Sequence, residues 1–560
     1  MKKISVFLFI FLALGLNSCK DYLEEVNPSG LTADSFYATE TGMEALVNSC
    51  YMPMRYWWGK EGAGSLTELA TDLFLKGGDC HHPEVADQNA SFNSQNPLLD
   101  VYWSRFYAAV NYCNTAIVRL PESPLSADLQ KRRLGEVHFL RALYYWLIVE
   151  TWGGVHLTTE PTVGVVTTAF RAPVTDFYAL ILSDLDIAIA NLDGQVNHDG
   201  GRVTKPAAEA FKARMLLTNG QYAEAATLAK KVITDYNFKL YTDYKALWDI
   251  NNSEGATNSE VVFYVNYSAN NQINTADENF DGNTYANAFR KEGGNQLHLM
   301  FTPRYDFHAG MKLDIINSIG FQRYCTTRRY LELFNSDIDQ RYEGTFKEVW
   351  FANGGNIGTY VDMVQGDTAV FWHHKPLSPE FKARVATKYE AKDINDLFNA
   401  DGSYKDNRNF IEMHKHNSTT DRAAIFEFRS KRDAFVIRIA EMYLIVAEAS
   451  MLSNNTGQAV EYMNLLRTAR AKPGHEAEMQ ITAADLDIDF ILEERARELG
   501  GELHRWFDLK RTNKLLEYVR QYNTDAKNNI QDYHVLRPIP QTQLDVITNP
   551  GDFQQNPGWQ

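Results

Sequence analysis

Two stretches of the sequence place aromatic rings beside polar side chains in segments rich in Gly, Asn and Asp. Flat ring faces can stack on the apolar faces of other rings. Carboxylate, amide, guanidinium and imidazole groups can hydrogen-bond hydroxyl groups in the same pocket. Carbohydrate recognition needs this combination of residue types. For any single ring, packing in the core is equally expected.

The candidate binding residues form two clusters. The first lies in residues 57–99, where helical periodicity fails, and comprises Trp57, Trp58, Asp72, His81, His82, Phe92 and Asn93. The second comprises Tyr285, Phe289, Arg290, His298, Phe301, Arg304 and Tyr305, with Trp350 and Trp372 further along the chain. Trp103 and Trp506 fall on apolar helical stripes, so we assign both to the core.

No catalytic motif is recognisable, so the sequence does not predict an enzyme. HExxH, GxSxG, GxxxxGK[ST] and GxGxxG are all missing. Carboxylate pairs for glycoside hydrolysis cannot be placed without a fold, because that chemistry depends on their separation.

Metal ligation has little support in the sequence. His81-His82 and His373-His374 are adjacent pairs, which do not share a helix face, so neither predicts a metal site. Asp277, Asn279 and Asp281 match the opening of a calcium loop. The twelfth position of that loop is Ala288 rather than a bidentate Glu, and a polar turn is the alternative.

Size and charge exclude some classes of protein. The chain has 560 residues, 12% aromatic residues and a net charge of −16. Nucleic-acid binding is not expected, because a basic surface supplies most of that binding energy. The length allows several domain-sized units or one long helical repeat array.

The amino terminus predicts a lipoprotein leader over residues 1–18. Lys2 and Lys3 precede an apolar run at residues 6–16, which is shorter than a membrane span. Residues 16–19, Leu-Asn-Ser-Cys, resemble a bacterial lipobox, which makes Cys19 the lipidated residue. Lys20 and Asp21 resemble a signal for export to the outer cell surface. An N-terminal anchor helix is the alternative.

The remaining cysteines show no metal-site spacing. Cys50, Cys80, Cys113 and Cys325 contain no CxxC pair, and we expect them to be free or partly paired.

Periodicity predicts a mainly helical chain. Helices are expected at residues 40–56, 98–120, 125–151 and 174–192. Residues 205–236 and 438–470 each predict a helix pair of tetratricopeptide type, in which small residues allow close packing. Strand-like fragments occur at 261–267 and 424–428.

The predicted fold is all-α dominated: a tetratricopeptide-like helical repeat scaffold with an inserted loop-rich subdomain containing short strands. We expect a helical part at 19–236 with a variable loop at 57–99, a ligand-binding subdomain at 237–430, and C-terminal helices at 431–560.

A further amphipathic helix is predicted at residues 490–511, although Gly500 and Gly501 interrupt it at a cost of roughly 1 kcal/mol each. This stretch resembles the signature of the RagB/SusD family in Arg495, Arg497, Glu498, Leu499, Glu502, Arg505, Trp506, Phe507, Asp508, Leu509 and Arg511. Leu503 stands where that family often has glycine. Residues 140–155 and the tail at 538–559 resemble the family as well.

The resemblance implies a lipid-anchored protein on the surface of the outer membrane. Such a protein captures a glycan and delivers it to a SusC-like, TonB-dependent outer-membrane transporter, without breaking a bond. It also implies a ligand surface in the two clusters, with Asp72 matching a recurrent family acid. A family member that binds peptide or another nutrient, a glycoside hydrolase and a scaffold that binds only proteins are the alternatives, and the particular glycan is open.

Overall fold

The computed structural model describes residues 32–193, 200–267, 294–354, 360, 362–418, 424–426 and 429–559. Its helices are α1 (Ala33–Tyr37), α2 (Glu40–Tyr51), α3 (Glu61–Thr67), α4 (Pro83–Asp87), α5 (Pro97–Arg119), α6 (Ala127–Trp152), α7 (Val174–Asn191), α8 (Lys205–Thr218), α9 (Tyr222–Asp235), α10 (Tyr244–Leu247), α11 (Leu297–Met300), α12 (Arg328–Glu332), α13 (Arg341–Thr345), α14 (Pro379–Val385), α15 (Ile394–Leu397), α16 (Ile439–Leu452), α17 (Thr456–Ala469), α18 (Ile488–Leu499), α19 (Arg505–Arg511), α20 (Leu515–Tyr522) and α21 (Gln541–Asp545).

The strands are short and few. They are β1 (Phe74–Lys76), β2 (Val261–Val265), β3 (Tyr324–Thr326), β4 (Phe346–Lys347), β5 (Val349–Phe351), β6 (Thr368–His373), β7 (Glu390–Asp393), β8 (Glu412–Met413) and β9 (Ala434–Arg438). Single 3₁₀ turns also occur, including Tyr305–Phe307.

A stack of antiparallel helices forms the first part of the molecule, which we call the helical frame. Neighbouring helices pack in the order α5, α6, α7, α8 and α9, and α16 then packs on both α9 and α17. The C-terminal helix pair thus continues the stack begun more than 200 residues earlier. One continuous core runs from Met43 to Phe553 through this frame. The predicted helical scaffold is confirmed.

The loop-rich subdomain is inserted between α9 and α16. Its entrance and exit are joined where β2 pairs antiparallel with β9. Its own core includes Trp350 and Trp372, and residues of the first part of the chain, such as Phe74, join it. β5, β6 and β7 form a three-stranded sheet there, while the other sheets among the described residues have two strands each.

Several predicted elements differ from the observed ones. Residues 490–511 form two helices rather than one, because the backbone turns at Gly501 (φ +80°) and Leu503 (φ +67°). Gly500 allows close approach, since a Cβ there would collide with the hydroxyl of Tyr330. The positive φ of Leu503 explains why glycine suits that position. Residues 424–426 form a turn rather than a strand.

The charged residues of this signature are ion-paired, and most of them are buried. Arg495 binds Asp508 (2.7 Å), and Arg505 binds Asp72 across the molecule (2.7 Å). Glu498 of the signature also lies 3.3 Å from Arg341 of the subdomain, so the signature contributes to the junction between frame and subdomain.

Candidate functional site

The two tryptophans of the first predicted cluster are core residues. Trp57 is 2% exposed and Trp58 is 4% exposed. The ring of Trp57 packs edge-on against Tyr102, with centroids 5.0 Å apart. Residues 57–99 fold into α3, β1, α4 and connecting turns instead of an open loop, and these turn the rings inward. Trp57 offers no face to a ligand, and Trp58 lines only a cavity of about 20 Å³, which is too small for a sugar ring, so the prediction is corrected for both.

Asp72 and Phe92 are also structural. Both carboxylate oxygens of Asp72 accept hydrogen bonds from Arg505, at 2.7 Å each, and the residue is fully buried. Phe92 is 1% exposed and packs edge-on against Trp559. A paired, buried carboxylate and an enclosed ring cannot contact a ligand, so the prediction is wrong for both residues.

The polar members of the first cluster lie nearer the surface. Nδ1 of His81 lies 3.2 Å from Glu61, and that of His82 lies 3.9 Å from Glu84. Both histidines are half-buried, and Asn93 is exposed. The side chain of Asn93 bonds its own turn, at Ala90 and Gln95. Their ligand role stays a prediction.

Most described members of the second cluster lie in the subdomain core: His298, Phe301, Tyr305, Trp350 and Trp372. Trp350 and Trp372 pack on each other with centroids 4.9 Å apart, and Nε1 of Trp372 donates to Glu390 (2.8 Å). The prediction that they bind ligand is therefore corrected, because the small subdomain needs these large side chains for its own core. The remaining predicted residues fall outside the described ranges: Cys19, Asp277, Asn279, Asp281, Tyr285, Phe289 and Arg290.

Arg304 is the member of that cluster that reaches the surface. Its guanidinium carbon lies 3.5 Å from the ring centroid of Phe307, which is 59% exposed. The 3₁₀ turn Tyr305–Phe307 explains the stacking, because side chains three residues apart eclipse in such a turn. Asp306 accepts two hydrogen bonds from Arg304, at 2.8 and 2.7 Å. We call this unit the Arg304–Phe307 platform.

Three other chain segments adjoin the platform, and together they form what we call the loop face. The backbone N–H of Arg304 donates to the carbonyl of Arg408 (3.1 Å). Gly78 donates to the carbonyl of Asn407 (3.0 Å), and Gly77 donates to that of Arg323 (3.0 Å). Residues 76–79, 302–307, 320–323 and 406–408 are thereby joined.

Glycine makes this convergence possible. A Cβ on Gly77 would collide with the carbonyl of Gln322, and one on Gly320 would collide with the carbonyl of Pro303. The backbones approach too closely for any side chain at these positions.

Charged side chains surround the platform. Arg408 is exposed and its Nε lies 2.9 Å from Asp406, whose pKa it holds below the usual range through their hydrogen bond. Arg323 is buried, with its guanidinium 2.5 Å from Asp79 and 4.9 Å from the ring of half-buried Phe321. The guanidinium of Arg408, the carboxylates of Asp79 and Asp406 and the ring of Phe321 therefore lie near the platform, whereas Arg323 is buried.

A cavity of about 410 Å³ lies beside Asn407 and Arg408. Polar groups dominate its lining, including Lys76 and Asp525. Burial raises the pKa of Asp525 to about 6. The cavity can offer hydrogen bonds to a polar ligand that extends from the platform.

Sequence reasoning missed the platform ring itself. Phe307 belongs to the string Phe-Thr-Pro-Arg-Tyr-Asp-Phe, from which Phe301, Arg304 and Tyr305 were chosen. The available signal was the three-residue spacing of Arg304 and Phe307. Asn407 and Arg408 gave no such signal, since only the fold brings them near.

A helical-repeat frame that carries an inserted loop-rich subdomain is the architecture of this chain. Residues 259–559 match the model of the SusD family, and residues 21–217 match a model described as "Starch-binding associating with outer membrane". The chain belongs to the SusD family, as the resemblance predicted.

Individual relatives match nearly the whole chain. SusD-like protein P38 of Formosa agariphila is 25% identical over 549 residues, covering 94% of this chain and 95% of its own. The starch-binding protein SusD of Bacteroides thetaiotaomicron is 23% identical and covers 76% of this chain and 73% of its own. A laminarin-binding SusD-like protein has the same fold, with a TM-score of 0.68 at 22% identity, covering 93% of this chain and all of its own.

Proposed function

We propose that this chain is a glycan-binding lipoprotein of the outer cell surface. The Arg304–Phe307 platform is the observation that carries the proposal. A ring with one face covered by a fixed guanidinium and 59% of its residue exposed is suited to stacking on a sugar ring. The printed descriptions of starch-, laminarin- and glycan-binding relatives support this ligand class.

The loop face suits a chain-like ligand better than a small enclosed one. The platform is open to solvent, and the cavity beside Arg408 supplies polar groups for hydroxyls. Hydrogen bonds from charged groups are stronger than those between neutral groups. Binding without bond cleavage is our proposal for this face.

Delivery to a partner completes the proposal. Cys19 would carry the lipid, and acyl chains contribute about 0.8 kcal/mol per buried CH₂ to membrane anchoring. None of the described helices has the length and apolar character of a membrane span. A tether holds the binder at high effective concentration over a SusC-like, TonB-dependent transporter, so modest glycan affinity suffices.

The test is affinity electrophoresis of the purified protein on a panel of polysaccharides that includes starch and laminarin, followed by calorimetry with any glycan retained. We expect Phe307→Ala to weaken binding about tenfold, which corresponds to about 1.4 kcal/mol. The matched control is Phe170→Ala, because Phe170 is 58% exposed but lies in the segment before α7.

Three outcomes would contradict the proposal. Retention of no glycan would favour a protein- or peptide-binding role. Release of free sugars during incubation would favour a hydrolase. Equal loss of affinity in both variants would remove Phe307 from the site. Labelling with a fatty acid in wild type but not in Cys19→Ala would test the anchor separately.

A further inference from the structure

Glu348, His373 and His374 converge at one point of the subdomain, away from the groups used above. Nδ1 of His373 lies 2.8 Å from Oε2 of Glu348, and Nδ1 of His374 lies 2.6 Å from Oε1. One ligand atom from each of the three residues can be chosen so that all lie within 4.8 Å of one another. Two imidazoles and a carboxylate therefore share a single small volume.

The strand ends explain how two adjacent histidines reach the same carboxylate. Glu348 connects β4 to β5, and β5 pairs antiparallel with β6, which ends at His373. The chain leaves the strand after His373, so the ring of His374 need not point to the opposite face of the sheet. The backbone N–H of His374 also donates to Oε1 of Glu348 (2.9 Å). Adjacent histidines do not share a face of a helix, but His373 and His374 lie at the end of a strand, so that objection to a shared metal site does not apply to them.

Neighbouring side chains orient the three groups. Nε2 of His374 lies 2.9 Å from Oγ of Ser336, and its ring packs on Tyr342 with centroids 3.8 Å apart. The hydroxyl of Tyr342 donates to Glu348 (2.6 Å). Without an ion, Nδ1–H of His374 donates to the carboxylate; with the proton moved to Nε2, directed at Ser336, the lone pair of Nδ1 would be free to bind an ion. Metal-binding histidines are oriented by such outer contacts.

We propose that Glu348, His373 and His374 form a binding site for a divalent transition-metal ion of the zinc type. Two imidazoles and one carboxylate are a common three-residue ligand set for zinc, with a fourth position left to water. Imidazole ligands disfavour calcium and magnesium, which prefer oxygen donors. Zinc bonds of about 2.0–2.2 Å place ligand atoms roughly 3–3.5 Å apart. The two histidine–carboxylate separations of 2.8 and 2.6 Å would therefore have to lengthen to admit the ion.

The partly exposed ring of His373 gives the ion a route in, because its side chain is 25% exposed. His374 and Glu348 are less exposed, at 6% and 16%. A bound ion would join the end of β6 to the β4–β5 connection. The inference is independent of the glycan proposal, since no residue is shared.

The experiment is zinc titration by calorimetry after chelator treatment of the purified protein. We expect one equivalent to bind with micromolar or tighter affinity, and His373→Ala to weaken it at least tenfold. Zinc should also raise the melting temperature of wild type but not of His373→Ala. Cobalt should give a visible absorption band in wild type that this variant lacks.

The control is His475→Ala, because the side chain of His475 is 40% exposed and pairs with the single carboxylate of Glu478 (2.7 Å). Its zinc affinity should equal that of wild type. Glu348→Gln is a second test, but the loss of a half-buried carboxylate can affect folding, so the more exposed His373 is decisive. Zinc binding that His373→Ala leaves unchanged, or no binding by wild type, would overturn the proposal.

Discussion

Arginine–carboxylate pairs serve two different ends in two regions of this molecule. At the junction of frame and subdomain, Arg438 and Arg470 both bind Glu498 at 2.9 Å, and the side chains of all three are fully buried. On the loop face, Arg304 binds Asp306 at a similar distance, 2.7 Å, but its side chain is 26% exposed. The chemistry of the pair is the same, and burial separates the two roles.

The buried charge cluster includes the acids Glu260, Glu498 and Glu502 and the cations Arg341, Lys415, Arg438 and Arg470. Glu260 contacts both Arg438 (2.5 Å) and Arg470 (2.6 Å). Burial raises the pKa of Glu498, but the surrounding arginines outweigh this and hold it well below its usual range. Replacing any one of these residues leaves the charge of its partner buried and uncompensated, so substitutions in this cluster are expected to be strongly destabilising. The loop-face pair can exchange partners with solvent or ligand.

The largest effect is expected for Glu498→Ala. Removing one partner of a buried ion pair costs about 3–5 kcal/mol, because the remaining charges stay buried. Urea unfolding of wild type and variant measures the difference.

Glu493→Ala is the matched control on the same helix. Glu493 is 31% exposed and pairs with Arg329 (2.8 Å). This half-buried pair is partly screened by solvent and is expected to contribute about 1 kcal/mol, so equal destabilisation by both variants would contradict the distinction between the two regions.

The sequence predicted the helical frame better than the candidate site, because helices follow from local apolar spacing whereas the site depends on contacts between residues distant in sequence. Apolar spacing on α5, α6 and α8 reports a local periodicity, and the observed helices lie close to the predicted ones. Whether a ring faces core or solvent depends on contacts distant in sequence. Trp57 is enclosed by Tyr102 and Phe106, which the composition of its own segment does not reveal.

The role of Asp72 was also not predictable from the sequence, because it depends on an ion-pair partner far along the chain. Its partner Arg505 lies 433 positions along the chain. The signature around Arg505 was recognised from the sequence, but its role as the counterion of Asp72 required the fold. A residue shared with a family can therefore be structural even beside a predicted ligand loop.

Glu68→Gln tests whether the buried carboxyl group of Glu68 makes the stability of the protein depend on pH. Glu68 is fully buried; Oε1 accepts from the N–H of Leu503 (2.7 Å), and Oε2 accepts no hydrogen bond from the described residues. Burial raises the pKa of Glu68 from 4.5 to about 8. The unfolded chain loses this proton first, so wild-type stability falls as pH rises through that window.

The stability of Glu68→Gln relative to wild type should therefore increase from about pH 5 to about pH 8 and then level off. Urea unfolding across this range measures it. Glu332→Gln is the control, because Glu332 is 50% exposed and should give a flat difference. A flat difference for Glu68→Gln would show that the buried carboxylate is ionised.

Gly77→Ala tests the close packing of the loop face. The added Cβ would meet the backbone carbonyl of Gln322, which cannot rotate away as a side chain can. Overpacking of this kind costs about 1–3 kcal/mol, and the displaced segment should also weaken glycan binding. Gly457→Ala is the control, since a Cβ on Gly457 at the start of α17 meets nothing within 4 Å. Unchanged unfolding of Gly77→Ala would mean that residues 76–79 move freely.

The smallest effect is expected for Asp306→Asn, which sharpens the comparison from the exposed side. Asn can still accept one hydrogen bond from Arg304, but it loses the charge and the two-point geometry that hold the guanidinium on Phe307. Because an exposed cation–π contact is worth about 0.5–1 kcal/mol, we expect a two- to fivefold loss of glycan affinity by calorimetry, with little change in unfolding. The control is Asp337→Asn: exposed Asp337 pairs with Lys375 (2.8 Å), and no platform residue takes part in that pair, so glycan affinity should be unchanged. If Asp306→Asn instead lowered the free energy of unfolding as much as Glu498→Ala does, the Arg304–Asp306 pair would have the structural role of the buried pairs at the junction. The exposure of Phe307 would then not indicate a binding role.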